Sequence, residues 1–344
     1  VAVFAGIDEA GYGPTLGPLV VSLAALRAPK EPKRDGAGHD LWARLGEGLL
    51  RAPPKRPRGA PKSRAPGDER LIVCDSKKLY QGGTGLRRME ETVLSFLALS
   101  RDLRPGGFED YPEGLRLAPL LSHCGLEKGA LAHYPWYSDL DFELPRLSFR
   151  SCLRRQGAAL RRALAAASIE PLALLPAVFH PREFNDGVRA AGNKHLFEWG
   201  IVARFLKLLW DRYAEEGVDL VCDRLSGRDF YGPLLADLFP EARVTAPDEG
   251  ELRSSYRISR GKREMRITFL VGGDETAFAT ALASCASKYF RELFMAPLNE
   301  WFAARVPGLR PTAGYFQDAR RFLDDIAAEW RRLSLPDDLL VRIF

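Results

Sequence analysis

Apolar residues in this chain come in short runs, separated either by Gly/Pro-rich turns or by stretches with helical period. Residues 1–26, VAVFAGIDEAGYGPTLGPLVVSLAAL, read as an apolar strand, a Gly/Pro turn and a second apolar strand, which predicts a buried hairpin with a wide connection. Asp8 and Glu9 fall where the first strand meets the turn. LIVC, at 71–74, predicts a further strand that delivers Asp75, and a helix is predicted over 86–99. From 100 to 147 an aromatic, Pro-containing stretch shows no clear period. Order returns with a basic, Ala-rich helix over 151–167, a strand at PLALLPAVF and a long apolar-periodic helix over 194–213. The strand VDLVC then ends at Asp223. A helix near 231–238, strands around ARVTA and MRITFLV, and a helix rich in small residues just after Gly272-Gly273-Asp274 complete the pattern. Short apolar strands alternating with helices imply an α/β fold whose central sheet is buried on both faces.

The length of 344 residues and the 46% hydrophobic content suffice for a full core. The expected organisation is a single domain over 1–344 with insertions near 28–68, 100–148 and 228–262 and a C-terminal helical part from about 296 to 344. Cys74, Cys124, Cys152, Cys222 and Cys285 are scattered, with no Cys/His grouping at zinc spacing, which favours a reduced, cytoplasmic setting over a disulfide framework. No charge-poor apolar run reaches the roughly eighteen residues of a membrane span, and the first twenty residues read as folded core rather than a signal peptide. The net charge of +5 is modest, but between Arg27 and Arg70 twelve Lys and Arg face six Asp and Glu. That stretch is either a solvated insertion or an arm that follows a phosphate backbone.

Four carboxylates fall at predicted strand ends or helix starts: the adjacent Asp8 and Glu9, then Asp223, then Asp274. Singly, an acid beside a glycine turn is ordinarily a turn former, and one at a helix start an N-cap. Clustered, they would carry a charge of about −4, which repulsion forbids unless protons or divalent cations bind between them. Hard oxygen donors, with no Cys/His grouping at zinc spacing, suit two Mg²⁺ or Mn²⁺ ions rather than zinc.

The residues around these acids carry a resemblance. Gly6-Ile7-Asp8-Glu9-Ala10-Gly11-Tyr12-Gly13-Pro14, with Gly17-Pro18, resembles the opening motif of the type 2 ribonucleases H, ribonucleases HII and HIII. Asp75-Ser76-Lys77-Lys78-Leu79 is similar to that family's second block, Leu220-Val221-Cys222-Asp223 to the strand presenting its third acid, and Gly273-Asp274 with Ala283 to Lys288 and Arg291-Glu292 to its fourth. Gly314-Tyr315 resembles its Gly-Tyr element, and the five blocks keep the family's order. The resemblance covers about half of the chain. It implies a ribonuclease H-like fold, with a mixed sheet flanked by helices, and Asp8, Glu9, Asp223 and Asp274 as metal ligands and catalytic groups. It further implies Gly11, Tyr12, Gly13, Lys77, Lys78 and Tyr315 at the substrate.

The expected activity is hydrolysis of the RNA strand of an RNA–DNA hybrid, or cleavage at a ribonucleotide within duplex DNA, leaving 3′-hydroxyl and 5′-phosphate ends. Tyr12 departs from the family, which has Arg or Lys between the two glycines. A DNA or structure-specific nuclease of the same fold, and a non-catalytic nucleic-acid-binding protein, are the alternatives. The five histidines are expected to be structural or surface residues, His195 packing against the sheet. Tyr134-Pro135-Trp136-Tyr137 either caps an insertion or stacks on bases, and Arg154, Arg155, Arg161 and Arg162 face phosphate or solvent.

Overall fold

A computed structural model describes residues 1–30, 40–54, 70–80, 84–100, 116–123, 131–138, 140, 142–225 and 228–343. Most of the basic stretch and much of the expected insertion near 100–148 lie outside them, as does Cys124.

The opening hairpin forms β1 (Ala2–Ala10) and β2 (Leu19–Ala28). After them come α1 (Leu41–Arg44), β3 (Leu49–Leu50), β4 (Leu71–Ile72), α2 (Ser76–Tyr80), α3 (Gly85–Leu99) and α4 (Leu117–His123). The Ala-rich helix is α5 (Arg150–Ala166), and it leads into β5 (Glu170–Phe179), α6 (Pro181–Ala191), α7 (Lys194–Tyr213) and β6 (Val218–Asp223). The chain continues as α8 (Gly232–Leu238), β7 (Arg243–Glu249), β8 (Arg253–Arg260), β9 (Arg263–Leu270), α9 (Gly273–Thr276), α10 (Phe278–Ala303) and α11 (Phe316–Leu333).

Seven strands form one mixed sheet in the order β5-β2-β1-β6-β9-β8-β7. The central strands β1, β6 and β9 run parallel to one another, and β2 and β8 run antiparallel to their neighbours. This is the expected α/β architecture with a mixed sheet flanked by helices. Part of the segment expected as an insertion near 228–262 becomes β7 and β8, which extend the sheet beyond β9. The boundary expected at 296 falls inside α10, whose Pro297 does not end it. Among the described residues no helix is long and apolar enough to cross a membrane.

Strand alternation explains the two cores. Ala2 and Phe4 point to the side covered by α3, α5, α10 and α11, whereas Val3, Ala5 and Ile7 point to the side covered by α6 and α7. Position 6 therefore faces α10, and there is no room there for a side chain: a β-carbon on Gly6 would overlap the backbone of Ala279 and Thr280. This close approach lies two residues before Asp8.

The aromatic run belongs to the first of these cores. Tyr134, Trp136 and Tyr137 are buried, with Trp136 against Trp301, Phe302 and Trp330, so these rings are not offered to bases. His180 lies among Tyr134, Tyr137 and Phe294, with Nδ1 3.2 Å from the Tyr137 hydroxyl and no partner for Nε2. Burial lowers its pKa to about 3. In the unfolded chain the ring titrates near its ordinary value, so the unfolded state takes up a proton that the folded state refuses, and stability falls as pH drops from about 6.5 toward 3. Urea titrations at pH 7.5 and pH 5 should show His180→Phe losing about 2 kcal/mol less than the wild type over that interval. Equal losses would place the acid sensitivity elsewhere.

Candidate metal centre

The register of the sheet brings the first acids together. Ile7 of β1 pairs with Cys222 of parallel β6, so the next residues, Asp8 and Asp223, come side by side near the ends of the two strands. Leu270 of β9 pairs with Asp223, and the turn that follows carries the chain into α9 with Asp274 in its first turn. One carboxylate oxygen from each of Asp8, Glu9 and Asp223 lies within 4.8 Å of the other two. Asp274 falls outside that group but acts electrostatically on Asp8 and is itself acted on by Asp223.

Backbone amides and serine hydroxyls hold this region in place. Asp8 Oδ1 accepts from the Glu9 amide at 2.8 Å, and Asp223 Oδ1 accepts from the Gly273 amide at 2.9 Å. From α10, the Ser287 hydroxyl donates to the Asp8 carbonyl at 2.9 Å, and Ser284 lies 3.3 Å from Asp274 Oδ2 and 3.0 Å from the Ser76 hydroxyl. The small residues of α10 thus let this helix approach and place hydroxyls among the acids.

Charge is concentrated here beyond what the bare protein can hold ionised. Burial, then the charges of Glu9 and Asp223, raise the Asp8 carboxyl well above its ordinary value. Burial and Asp223 push Glu9 up to about 7, and burial with Asp75 and Asp223 pushes Asp274 up to about 6. Asp223 is also raised by burial, although the Gly273 amide and Lys77 oppose it. For Lys77 burial acts downward, but Asp75, Asp274, Asp8 and Asp223 together raise its pKa. Lys77 thus lies within the field of Asp8 and Asp223 as well as Asp75 and Asp274, whereas Lys78 is exposed at the rim, feels Asp75 and Asp274, and is paired with Glu275 at 2.8 Å. Arg51, a described residue of the basic stretch, donates to the Glu275 carbonyl at 3.0 Å.

The Gly11-Tyr12-Gly13 segment follows directly. Gly11 has φ +90°, and a β-carbon there would meet the Pro18 carbonyl and Arg291. Gly13 is exposed, with open space around its α-carbon. The Tyr12 hydroxyl lies 2.9 Å from His195 Nδ1, and the Lys194 ammonium sits 4.0 Å from the centre of the Tyr12 ring. His195 is exposed and bonded to Tyr12, which corrects the expectation that it packs against the sheet. From the far end of the chain, buried Arg342 donates to the carbonyls of Gly11 and Tyr12 at 2.5 and 2.9 Å. Buried Arg291 donates to the carbonyls of Leu16 and Ala313 at 3.2 and 2.8 Å, tying the opening turn to the Gly314-Tyr315 turn. Tyr315 is half exposed, its ring 5.8 Å from the Arg291 guanidinium. Arg154, Arg155, Arg161 and Arg162 lie on the exposed face of α5.

Four further residues belong to this neighbourhood. Asp75, buried, caps α2 by accepting from the Lys77 amide at 2.8 Å, and its charge raises the Asp274 carboxyl. Its signal was its place at the head of the Asp-Ser-Lys-Lys block. Glu198, on α7, is buried and interacts with Glu9 and Asp223; its signal was an acid on the apolar stripe of a periodic helix. Arg291 had a signal in its place within the fourth block, whereas Arg342 carries no local sequence signal, because its partners are backbone carbonyls hundreds of residues away.

Buried, converging oxygen donors with raised pKa values fit a divalent cation of the Mg²⁺ or Mn²⁺ type, which would relieve their repulsion. No protein-family model matches the chain, and no curated protein matches its sequence. Among solved structures it is similar to the RNase HII of Archaeoglobus fulgidus in its complex with PCNA, at 14% identity over 99% of this chain and 94% of that one, with a TM-score of 0.38. It is likewise similar to the ribonuclease H2 of Pyrococcus horikoshii OT3, at 12% identity over 98% and 92% of the two chains and a TM-score of 0.40. Bst-RNase HIII in complex with Mn²⁺ matches at 15% identity over 99% and 66% of the chains, with a TM-score of 0.39. Likeness at this level leaves the chemistry to be argued from the residues themselves.

Proposed function

We propose that the chain is a metal-dependent endonuclease that hydrolyses the RNA strand of RNA–DNA hybrids, or a ribonucleotide embedded in duplex DNA, leaving 3′-hydroxyl and 5′-phosphate ends. The observation that carries this reading is the convergence of Asp8, Glu9 and Asp223 within 4.8 Å, at the ends of adjacent parallel strands, with Asp274 beside them. The choice of substrate rests on the five ordered blocks, of which the acids are only part.

Asp8, Glu9, Asp223 and Asp274 would hold the ions. When bound, two divalent cations supply an activated water and charge stabilisation for the leaving 3′-oxygen. The chain's own groups bind and orient. Lys77 offers a cation to a phosphate next to the acids, and exposed Gly13 leaves room for close approach of the substrate backbone. Tyr315 presents a ring at the adjoining turn. Hybrid would be selected through its 2′-hydroxyl groups and groove shape rather than through base sequence.

A second reading, a DNA or structure-specific nuclease, is favoured by one feature: Tyr12 stands where the family carries a cation, with its hydroxyl held by His195. A panel of labelled substrates with Mg²⁺ or Mn²⁺ separates the two. RNA–DNA hybrid or a single-ribonucleotide duplex should be cut at least about a hundredfold faster than the all-DNA duplex, since a site that hydrogen-bonds a hydroxyl rejects its deoxy analogue strongly. Equal rates would favour the second reading.

A further inference from the structure

Helix α7 lays an apolar stripe on the sheet through Ile201, Val202, Leu206, Leu209 and Tyr213, and the residue that continues this face toward the acids is Glu198. Glu198 is 1% exposed, and its Oε2 has no hydrogen-bond partner. A carboxylate in such a place is strongly unfavourable unless something positive or protic compensates it. The alternation of β1 that sends Val3, Ala5 and Ile7 toward α7 sends Glu9 the same way, away from the α10 side. The charged groups acting on Glu198 are Glu9 and Asp223 at the strand ends and Lys194 one turn earlier on α7; Tyr12 also feels its charge. Among the described residues, the oxygens that could share one ion directly are those of Asp8, Glu9 and Asp223, and Glu198 lies outside that set.

We propose that Glu198 is a positioning residue of the metal centre, its free carboxylate oxygen accepting a hydrogen bond from a water carried by a divalent cation at Glu9 and Asp223. This inference rests on the reading of those acids as metal ligands. It gives α7 a role at the site that complements the hydroxyls supplied by α10 on the other face of the sheet. Lys194 then balances Glu198 in the metal-free protein and competes with the cation for it.

Mn²⁺ titration of metal-free protein, read by the electron paramagnetic resonance signal of free Mn²⁺, tests this without any cleavage assay. Glu198→Gln should bind Mn²⁺ at least about tenfold more weakly than the wild type, the usual consequence of losing an outer partner. Lys194→Met should bind at least as tightly as the wild type, because a competitor has gone. Binding by Glu198→Gln within about threefold of wild type overturns the proposal, as does equal weakening by both variants, which would make Glu198 merely the partner of Lys194. If circular dichroism shows Glu198→Gln unfolded, Glu198→Asp, which keeps the charge but withdraws it, should weaken Mn²⁺ binding, and unchanged affinity overturns the proposal. A folded wild type that binds no Mn²⁺ contradicts the metal-centre reading itself, a failure distinct from that of Glu198 alone.

Discussion

Asp8→Asn will make the metal-free protein more stable than the wild type while reducing Mg²⁺-dependent cleavage by at least about a thousandfold, roughly 4 kcal/mol of barrier. Both effects have one origin. Asp8 is held at 5% exposure beside Glu9 and Asp223, and burial followed by those two charges raises its carboxyl well above 3.8. A carboxyl whose folded pKa exceeds its unfolded value binds protons more readily in the folded state. The metal-free protein therefore gains stability from this group as pH falls toward the unfolded value, and loses it again as pH rises. Glu9, pushed to about 7, behaves alike. Asparagine is neutral, keeps an oxygen for the Glu9 amide and removes one of the mutually repelling charges. A gain on the order of 1 kcal/mol at pH 8, from urea unfolding in a chelator, is expected. Added Mg²⁺ should stabilise the wild type more than the variant, because a ligand stabilises only the state that binds it. A variant that is less stable without metal, or equally stabilised by it, would mean that Asp8 is a turn former.

Gly6→Ala should destabilise the fold by about 3 kcal/mol or more, at the upper end for an added methyl, because the obstruction is helix backbone rather than a side chain that can turn away. The new β-carbon would overlap Ala279 and Thr280 at the start of α10. Any displacement of α10 that relieves the overlap also moves Ser284 from Asp274 and Ser287 from the Asp8 carbonyl. Stability and the metal response should therefore fall together. Gly13→Ala is the control: nothing lies within 4 Å of its β-carbon position, and a change within about 0.5 kcal/mol is expected. Guanidinium unfolding of the two variants decides the matter. Equal stability of Gly6→Ala and wild type would contradict the seating of α10 on β1.

How much of this was legible in the sequence depends on the range of the interactions. The 194–213 helix was read from its apolar period, and the β1–β2 hairpin from two apolar runs that flank a Gly/Pro turn. Strand β8 was missed: its alternating polar residues resemble a loop until β9 pairs with it. Helix α6 was also missed, because its buried positions are few and only Pro181 marks its start. At the site, Asp8, Glu9, Asp223 and Asp274 were singled out by their places at strand ends and a helix start taken together with the ordered blocks around them. Their convergence was implied by the resemblance and not by local pattern, since it depends on the pairing of Ile7 with Cys222 more than two hundred positions away. Arg342 is the extreme case. It lies 331 residues from Gly11, whose carbonyl it holds, and no local pattern announces such a contact. His195 was misplaced for the same reason, as its partner Tyr12 lies 183 residues distant.

The central claim is that the acids at the ends of β1 and β6 form a metal centre that cleaves nucleic acid at ribonucleotides. Its most direct measurement is the cleavage of an end-labelled RNA–DNA hybrid by the wild type and by an Asp8→Asn/Asp223→Asn variant, with Mg²⁺ and with EDTA. The wild type should cut the RNA strand only with metal, leaving 3′-hydroxyl ends, and the double variant, folded by circular dichroism, should not cut. Unchanged Mg²⁺-dependent cleavage by that variant would contradict the assignment.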